Sequence, residues 1–223
     1  MKKNEEILRA CPLFEGISDQ NLSSMVSCLG ARTVSAVKGE MIFREGEPAR
    51  YMGLMLSGSG QIIREDYFGN RTILTRIEAG ELFGESFACA GLEELPVSVT
   101  ASEDCTYMAF DCRRLTTSCT NACEFHSRLI FNLLQIVAAK NLVFHQKIEI
   151  TSKRTTRDKL MTYLLMQAKA AGNSHFTIPY DRQELADYLE VDRSALSGEL
   201  GKMRREGLLT VRKNVFELMA RHV

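Results

Sequence analysis

The sequence predicts a two-domain α+β protein in which a strand-rich first part is followed by a long helix and a smaller C-terminal part. Three observations support this division. Eleven of the fifteen glycines lie between Gly16 and Gly91, and none lies between residues 92 and 171. Residues 121–150 are rich in apolar side chains and contain neither glycine nor proline. Residues 1–150 carry 15 basic and 19 acidic side chains, whereas residues 151–223 carry 13 and 9. The neutral total therefore conceals a basic C-terminal end, which favours an anionic partner there.

Six short apolar runs in the first part predict strands, because glycine-containing turns separate them. The runs are Glu40–Phe43, Tyr51–Leu56, Gly60–Glu65, Arg71–Ile77, Pro96–Ala101 and Thr106–Phe110. Many short strands joined by such turns are typical of an all-β barrel or sandwich.

The segment from Asn121 to about Ile150 predicts one long helix. A helix of roughly 28 residues is about 42 Å long, and its apolar side chains cover more than one face. We therefore expect one face to pack on the barrel and another to contact a second copy of the chain. The expected contact positions include Leu129, Leu133, Ile136 and Val143. A monomer in which these residues are simply core is the alternative.

Residues 181–203 show the pattern of two short helices joined by a turn. Asp181 and Asp192 are the expected N-caps of the two helices. The expected core positions are Leu185, Ala186 and Leu189 in the first helix and Leu196, Leu200 and Met203 in the second. The opposite face of the second helix is polar and carries small side chains. This is helix-turn-helix patterning, in which the second helix is able to enter a DNA major groove.

Two features of this motif carry an energetic cost. Glu190 stands at the turn position that glycine usually fills, and a positive φ there would cost about 1 kcal/mol. Gly198 and Gly201 lie inside the second helix, where each costs about 0.8–1 kcal/mol relative to alanine. We expect Gly198 to permit close approach to the DNA backbone.

The segments around the motif complete a small domain. A helix is predicted over Arg154–Ala171 with Gly172 at its C-cap, followed by a short extended piece at Phe176–Tyr180. Strands at Leu208–Val211 and Val215–Leu218 are predicted to form a hairpin whose turn, residues 212–214, is basic. A basic hairpin beside a reading helix indicates a wing that contacts phosphate. A protein-interaction module whose charges are merely solvated is the alternative.

Residues 10–220 resemble the Crp/Fnr family of bacterial transcription regulators, because several short motifs occur along the chain in the order found in that family. The motifs are Pro12-Leu-Phe, Gly39-Glu, Glu45-Gly-Glu, Leu56-Ser-Gly-Ser-Gly, Gly80-Glu-Leu-Phe-Gly-Glu, Arg182-Gln-Glu-Leu-Ala-Asp-Tyr-Leu and Asp192-Arg-Ser-Ala-Leu-Ser. The resemblance implies a jelly-roll-like β-roll sensor over residues 1–120, a dimerisation helix over residues 121–150 and a winged helix-turn-helix DNA-binding domain over residues 151–223. It also implies a homodimer that binds a pseudo-palindromic operator in double-stranded DNA, with RNA polymerase as a further candidate partner.

The side chains expected at the DNA are Arg182, Gln183, Arg193, Ser194, Ser197, Lys202, Arg212 and Lys213. Family members often carry Arg-Glu near the start of the reading helix and a second arginine one turn later. Arg193 matches this pattern, but Ser194 and Gly198 stand at the other two positions. The resemblance therefore implies a shifted base preference that uses fewer bidentate contacts.

In cyclic-nucleotide-binding members of the family, a Gly-Glu pair addresses the ribose and a later arginine pairs with the cyclic phosphate. Gly84 and Glu85 match the first pair, but no arginine or lysine lies between Ile77 and Asp111. A phosphate would lack its charge-assisted partner. We therefore expect an effector other than cyclic AMP, namely an uncharged or cationic organic molecule in the β-roll. The expected pocket residues are Phe83, Gly84, Glu85, Ser86 and Leu95.

A metal or redox site is the alternative input. The candidate set is Cys112, Cys119, Cys123 and His126. If a helix starts near residue 120, the last three of these share one face, although three ligands on one helix lack the usual two-segment arrangement. The seven cysteines are scattered, which fits reduced intracellular thiols rather than a disulfide framework or an iron–sulfur cluster. We expect no cofactor.

Other classes of protein are disfavoured. No P-loop, nucleophile elbow or paired-carboxylate motif occurs, and no histidine precedes His126, so we do not expect an enzyme. The N-terminus has two lysines but no apolar segment behind them, and polar residues interrupt the most apolar run, Leu129–Phe144. We therefore expect a cytoplasmic protein without a signal peptide or a membrane span.

Overall fold

The computed structural model describes residues 2–116 and 124–219. The chain divides into two compact units. The first consists of Met1–Gly69 and Leu74–Leu142, and the second of Asn70–Ile73 and Val143–Val223.

Two helices and a short 3₁₀ turn precede the strands. Helix α1 spans Lys2–Ala10, the turn spans Pro12–Phe14, and α2 spans Asp19–Cys28. Sequence reasoning did not predict these elements. Their apolar side chains enter a core cluster of the first unit through Leu8, Leu13, Phe14, Leu22, Met25 and Leu29.

Eight strands follow within the described residues, and they form two four-stranded sheets with the orders β1-β8-β3-β6 and β2-β7-β4-β5. The strands are β1 (Arg32–Ala36), β2 (Met41–Phe43), β3 (Tyr51–Ser57), β4 (Gly60–Glu65), β5 (Arg71–Ile77), β6 (Leu82–Phe83), β7 (Ser98–Ala101) and β8 (Cys105–Asp111). The pairings of β8 with β1 and β3, of β3 with β6, and of β7 with β2 and β4 are antiparallel. All six predicted strands are confirmed, with ends shifted by at most two residues. The two that were missed are β1, which is exposed at four of its five positions, and β6, which has two residues.

Alternate residues of β3 enter two different cores, as the period of a strand requires. Met52 and Leu54 lie in the cluster with the N-terminal helices, whereas Met55 lies in a cluster to which both sheets contribute. Between them, Gly53 leaves room for the ring of Phe83, because a Cβ at this position would lie 2.0 Å from the Phe83 Cζ atom. The two sheets therefore enclose one core, and the outer face of the first sheet forms another with the helices.

Three helices complete the first unit and lead out of it: α3 (Glu85–Cys89), α4 (Cys112–Thr116) and α5 (Glu124–Thr151). Helix α5 confirms the predicted long helix, whose first predicted residues lie outside the described part. Leu129 and Leu133 are buried in the core cluster with the N-terminal helices. Their assignment to a contact with a second copy is therefore wrong: they are the residues with which α5 packs on its own unit. Asn132 supports this packing, because its Nδ2 donates to the carbonyls of Leu13 and Glu15, each at 2.9 Å.

The outward face of α5 remains strongly apolar. The exposed large side chains on this helix are Ile130, Phe131, Leu134, Leu142, Val143, Phe144 and Ile148. Among the described helices, one segment, His126–Thr151, is long and apolar enough to cross a membrane by length and composition alone. Sequence reasoning had found no such segment. One such helix is weak evidence for a membrane span, and one face of this one belongs to the core of the first unit.

The second unit contains three further helices and a small sheet: α6 (Thr156–Ala171), β9 (His175–Thr177), α7 (Arg182–Leu189), α8 (Arg193–Arg205), β10 (Leu209–Arg212) and β11 (Val215–Leu218). The sheet has the order β10-β11-β9 and is antiparallel. The predicted hairpin is confirmed, and the predicted extended piece is its third strand. Helix α6 starts two residues later than predicted because the Thr155 hydroxyl caps it, accepting from the amide of Asp158, and it ends at the left-handed Gly172.

Candidate functional site

A capping box fixes the start of α7. The Asp181 carboxylate accepts from the amide of Glu184, and the Glu184 carboxylate accepts from the amide of Asp181, both at 2.8 Å. The predicted apolar positions Leu185, Ala186 and Leu189 are fully buried. Local sequence and burial together orient the first helix of the motif.

The turn between α7 and α8 places Glu190 at φ 54°, in the left-handed region. Lysines offset this strain by satisfying the carbonyls at the end of α7. Lys159 Nζ donates to the carbonyls of Leu189 and Glu190, both at 3.2 Å, and Lys147 Nζ donates to the carbonyl of Tyr188. Positive charge at the C-terminal end of a helix is favourable. Sequence reasoning missed both lysines, since α5 and α6 bring them to the turn.

Helix α8 presents one buried and one exposed face. Leu196, Leu200 and Met203 are buried as predicted. Asp192 occupies the N-cap position, but its side chain makes no capping hydrogen bond, which differs from the expectation. The exposed face consists of Arg193, Ser194, Ala195, Ser197, Gly198 and Lys202. This face is polar and most of its side chains are short, as is needed for a helix that inserts into a DNA groove.

Gly198 is not explained by packing inside the protein. A Cβ added at Gly198 would meet no described atom within 4 Å, and the same holds for Gly201. Beside Gly198 lies a groove of about 580 Å³, lined by Thr155, Thr156, Arg157, Ala195, Gly198, Glu199 and Lys202. The groove therefore joins the N-terminus of α6, where amides point outward, to the exposed face of α8.

The wing lies next to α7 and is held there by Arg182. The two-residue turn of the hairpin is Lys213-Asn214, with Lys213 at φ 56°. The half-buried Arg182 donates to the carbonyl of Lys213 at 3.2 Å, and its guanidinium lies 5.9 Å from the centroid of the Phe216 ring. Asn214 Nδ2 donates to the carbonyl of Ile178 at 3.0 Å. The basic tip of the hairpin is thus anchored from both sides.

The remaining residues expected at the DNA differ in their surroundings. Arg193, Ser194, Ser197, Arg212 and Lys213 are exposed. Gln183 is exposed and donates to the Asp187 carboxylate at 2.7 Å, and Lys202 lies 3.3 Å from the Glu199 carboxylate. Among the residues expected at the DNA, Arg182 differs in that its guanidinium contacts the wing, at the carbonyl of Lys213 and the ring of Phe216.

In the first unit, Gly84 and Glu85 lie where β6 meets α3. Gly84 has φ 75°, and a Cβ there would lie 3.1 Å from the Phe43 ring and 3.3 Å from the carbonyl oxygen of Tyr51. Glu85 is 2% exposed. Its Oε1 lies 3.0 Å from Lys140 Nζ and accepts from the Ser86 hydroxyl at 3.2 Å, while its buried Oε2 accepts no hydrogen bond from a described residue.

Lys140 is the residue of this site that sequence reasoning missed. It comes from α5, and its ammonium also donates to the carbonyl of Leu82. The available signal was a lysine that interrupts an otherwise apolar run. Phe83 and Leu95, expected to line the pocket, are both buried, and the Phe83 ring packs edge-on to Tyr107 at 5.8 Å between ring centroids.

The alternative metal or redox set is only partly described. Cys112 is buried at the start of α4, and His126 is buried in the first turn of α5. Cys119 and Cys123 lie outside the described residues. In the part of the chain that the structure describes, no group of three or more histidine, cysteine or acidic side chains could hold a metal ion.

Comparison with known proteins matches each part of the chain. A family model described as a cyclic nucleotide-binding domain matches residues 33–119, and one described as a Crp-like helix-turn-helix domain matches residues 158–221. No curated protein matches the sequence.

Solved structures share the fold at low sequence identity. FixK2 from Bradyrhizobium japonicum is 21% identical, with a TM-score of 0.65 over 86% of this chain and 93% of that chain. The c-di-GMP-responsive global regulator CLP of Xanthomonas campestris is 19% identical, with a TM-score of 0.75 over 91% and 100%. A CooA mutant from Carboxydothermus hydrogenoformans is 18% identical, with a TM-score of 0.68 over 90% and 92%.

Proposed function

Because the chain belongs to the Crp/Fnr family of DNA-binding transcription regulators, we propose that it acts as a homodimer on a pseudo-palindromic operator. We further propose that a ligand other than cyclic AMP controls it. The observation that carries the DNA-binding part is the exposed polar face of α8, flanked by the anchored basic wing. The division into a sensor over residues 1–120, a dimerisation helix over 121–150 and a DNA-binding domain over 151–223 is part of the proposal.

The exposed side chains of α8 divide by the contacts that they can make. Arg193 lies in the first turn, where reading helices meet base edges, and a bidentate contact to guanine is worth about 1–3 kcal/mol of discrimination. Ser194 and Ser197 add short hydroxyl contacts, and Gln183 adds an amide. Lys202 and the wing residues Arg212 and Lys213 are placed to contact phosphate.

Arg182 acts in this proposal through the wing rather than on a base. Its guanidinium is engaged by the carbonyl of Lys213 and the ring of Phe216. Gly198 leaves the groove beside it open, so a phosphate could approach the N-terminal amides of α6. These two features support a backbone-positioning role for this edge of the domain.

The apolar outward face of α5 supports the homodimer. Its seven exposed large side chains are more apolar surface than a soluble chain ordinarily leaves in water. A second copy of α5 related by a two-fold axis would cover the same positions on both chains. Two reading helices would then face DNA, and their engagement requires a separation of about 34 Å.

Glu85 supports a ligand in the first unit. Its carboxylate is buried, is neutralised on one side by Lys140 and keeps one oxygen without a hydrogen bond from a described residue. A buried acceptor of this kind is costly unless a donor reaches it. We propose an uncharged organic ligand whose hydroxyl or N–H group donates to Glu85 Oε2. RNA polymerase as a partner and a cytoplasmic location belong to the same proposal.

Two alternatives are distinguished by simple observations. A protein-interaction module would bind DNA neither tightly nor with steep salt dependence. A metal- or redox-responsive regulator using Cys112, Cys119, Cys123 and His126 would bind a stoichiometric metal ion or require these residues together.

Selection of binding sites from random duplex DNA tests the proposal. The wild-type protein should enrich inverted repeats whose half-sites are centred about one helical turn apart. The variant Arg193→Ala should enrich a degenerate half-site. Recovery of no common sequence by the wild-type protein, with and without cell extract as a source of ligand, would contradict the proposal.

A further inference from the structure

Two cysteines of the first unit lie with their sulfurs in contact. Cys89 Sγ and Cys112 Sγ are 3.2 Å apart. A disulfide requires about 2.05 Å, so the pair is a dithiol that needs a sulfur displacement of roughly 1.2 Å to close. The residues are 23 positions apart and lie on different helices.

Both residues are held by regular structure. Cys89 is the last residue of α3, whose backbone bonds include Ala88 N to the carbonyl of Gly84 at 3.1 Å. Cys112 follows β8, and its amide donates to the carbonyl of Arg50 at 3.1 Å. The contact is therefore set by the fold of the first unit rather than by a chance approach of loops.

The two thiols complement each other in access and ionisation. Cys89 is exposed, so a dissolved oxidant reaches the pair from that side, whereas Cys112 is buried behind it with its sulfur 3.2 Å away. The hydrogen bond from Cys89 lowers the pKa of Cys112 and raises the pKa of Cys89. Burial instead raises the pKa of Cys11 to about 11 and also raises the pKa of Cys105. These two other buried thiols are therefore less reactive.

We propose that Cys89 and Cys112 form an intramolecular disulfide when a hydroperoxide oxidises the protein. Hydrogen peroxide oxidises Cys112, whose thiolate the Cys89 thiol stabilises by its hydrogen bond, to a sulfenic acid, and one water leaves. The Cys89 thiol then attacks the Cys112 sulfur, so that the S–S bond forms, the S–O bond breaks and a second water leaves. Two thiols and one peroxide thus give one disulfide and two waters.

The disulfide would act on the same segment that carries Glu85. Helix α3 begins with Glu85, which pairs with Lys140 of α5, and ends with Cys89. Drawing Cys89 toward Cys112 pulls the C-terminal end of α3 toward α4. Oxidation is therefore a second input that reaches α5 through the Glu85–Lys140 pair, independently of any ligand.

Peptide mass spectrometry of the full-length protein tests this pairing. The protein is treated with one equivalent of hydrogen peroxide, alkylated without reductant and digested. A Cys89–Cys112 linked peptide, abolished by a thiol reductant, is expected in the wild type and in Cys28→Ser, which removes another exposed thiol. It should be absent from Cys89→Ser, which keeps the buried Cys112. Full alkylation of both cysteines after peroxide, or linkage of Cys112 to another residue instead, would overturn the pairing.

DNA binding of the same samples tests the regulatory consequence separately. Oxidation should change the affinity of the wild type and of Cys28→Ser for the selected operator by several fold and leave Cys89→Ser unchanged. If the reduced and the disulfide-linked wild type bind the operator with the same affinity, the proposal that oxidation regulates DNA binding is wrong. The mass-spectrometric test of the disulfide does not depend on DNA binding. The disulfide proposal and the proposed DNA-binding function can therefore be refuted independently.

Discussion

Individual cationic residues of the second unit have different tasks that their surroundings define. Arg182 is half-buried and holds the wing, Arg193 is exposed at the start of α8, and Lys147 and Lys159 satisfy carbonyls at the end of α7. The sequence predicted Arg182 to be a DNA contact because of its charge and its position in the helix-turn-helix motif. It could not see the carbonyl of Lys213, since hairpin formation brings that atom to Arg182.

Replacement of Arg193 by alanine should reduce specific DNA binding while leaving non-specific binding nearly unchanged. The expected loss is about 1–3 kcal/mol, because one bidentate base contact disappears. Fluorescence anisotropy with operator and scrambled duplexes measures both affinities. Lys169→Ala is the matched control, since Lys169 is an exposed cation in the last turn of α6. Equal losses on both duplexes would show that Arg193 contacts phosphate only.

Gly198→Ala should stabilise the fold and weaken DNA binding. The gain is about 0.8–1 kcal/mol from helix propensity, and the added methyl meets no described atom within 4 Å. Urea unfolding and anisotropy measure the two effects. Gly201→Ala controls for the propensity term, because Gly201 lies in the same helix with equally open surroundings. Unchanged DNA affinity of Gly198→Ala would refute close approach of the DNA backbone.

Lys147 should make stability depend on pH in the alkaline range. Burial lowers its pKa to about 8 from the ordinary value of 10.5. Between these values the unfolded chain binds the proton and the folded chain does not, so this group's contribution to the free energy of unfolding rises with pH. Urea unfolding of the wild type and Lys147→Met on both sides of pH 8 measures it. The free energy of unfolding of the wild type should rise relative to that of the variant as the pH rises above 8. A difference between the two proteins that does not change with pH would contradict the lowered pKa of Lys147.

Among the elements, α5 links the core of the first unit to a large apolar surface. Leu129 and Leu133 pack inward, whereas Leu134 on the neighbouring face is 64% exposed. The periodicity of the sequence predicted the helix and its excess of apolar residues. It placed Leu129, Leu133 and Ile136 on the outward face although they pack against the core, because α1 and α2, which it did not predict, cover part of α5. Val143, the fourth predicted position, is exposed.

Leu134→Glu should convert the proposed dimer to monomers. A buried carboxylate in a helix–helix contact is unpaired and costs several kcal/mol, whereas an exposed one costs little. Sedimentation velocity at micromolar concentration gives the oligomeric state, and circular dichroism verifies the helices. Gln135→Glu adds the same charge at the adjacent exposed position and should remain dimeric. A Leu134→Glu protein with the mass of the wild type would exclude this face as the interface.

The elements with strong local signals were predictable. The strands of the first unit were found from their turns, and the helix-turn-helix was found from its caps and apolar positions. The misses have physical reasons. Strand β1 is mostly exposed, so it lacks an apolar pattern, and β6 is too short for one. Lys140 reaches Glu85 only through tertiary packing, which no local pattern encodes.

Across the whole molecule, charge and apolar surface are separated along the chain. The basic excess lies after residue 150, where α8 and the wing expose it, and the apolar excess lies on α5. The Glu85–Lys140 pair and the Cys89–Cys112 dithiol share α3, which precedes both surfaces in sequence. The proposed sites of input, dimerisation and DNA contact therefore lie on different parts of the chain.

The most direct test of DNA recognition is a salt series of operator binding by fluorescence anisotropy. The wild type should bind the selected operator far more tightly than a scrambled duplex, with affinity falling by about 0.9 logarithmic units per decade of salt for each phosphate neutralised. Arg212→Ala combined with Lys213→Ala should reduce that slope by about 1–2 and keep the sequence preference. Weak binding that is equal on both duplexes and insensitive to salt, with the fold intact, would contradict the account.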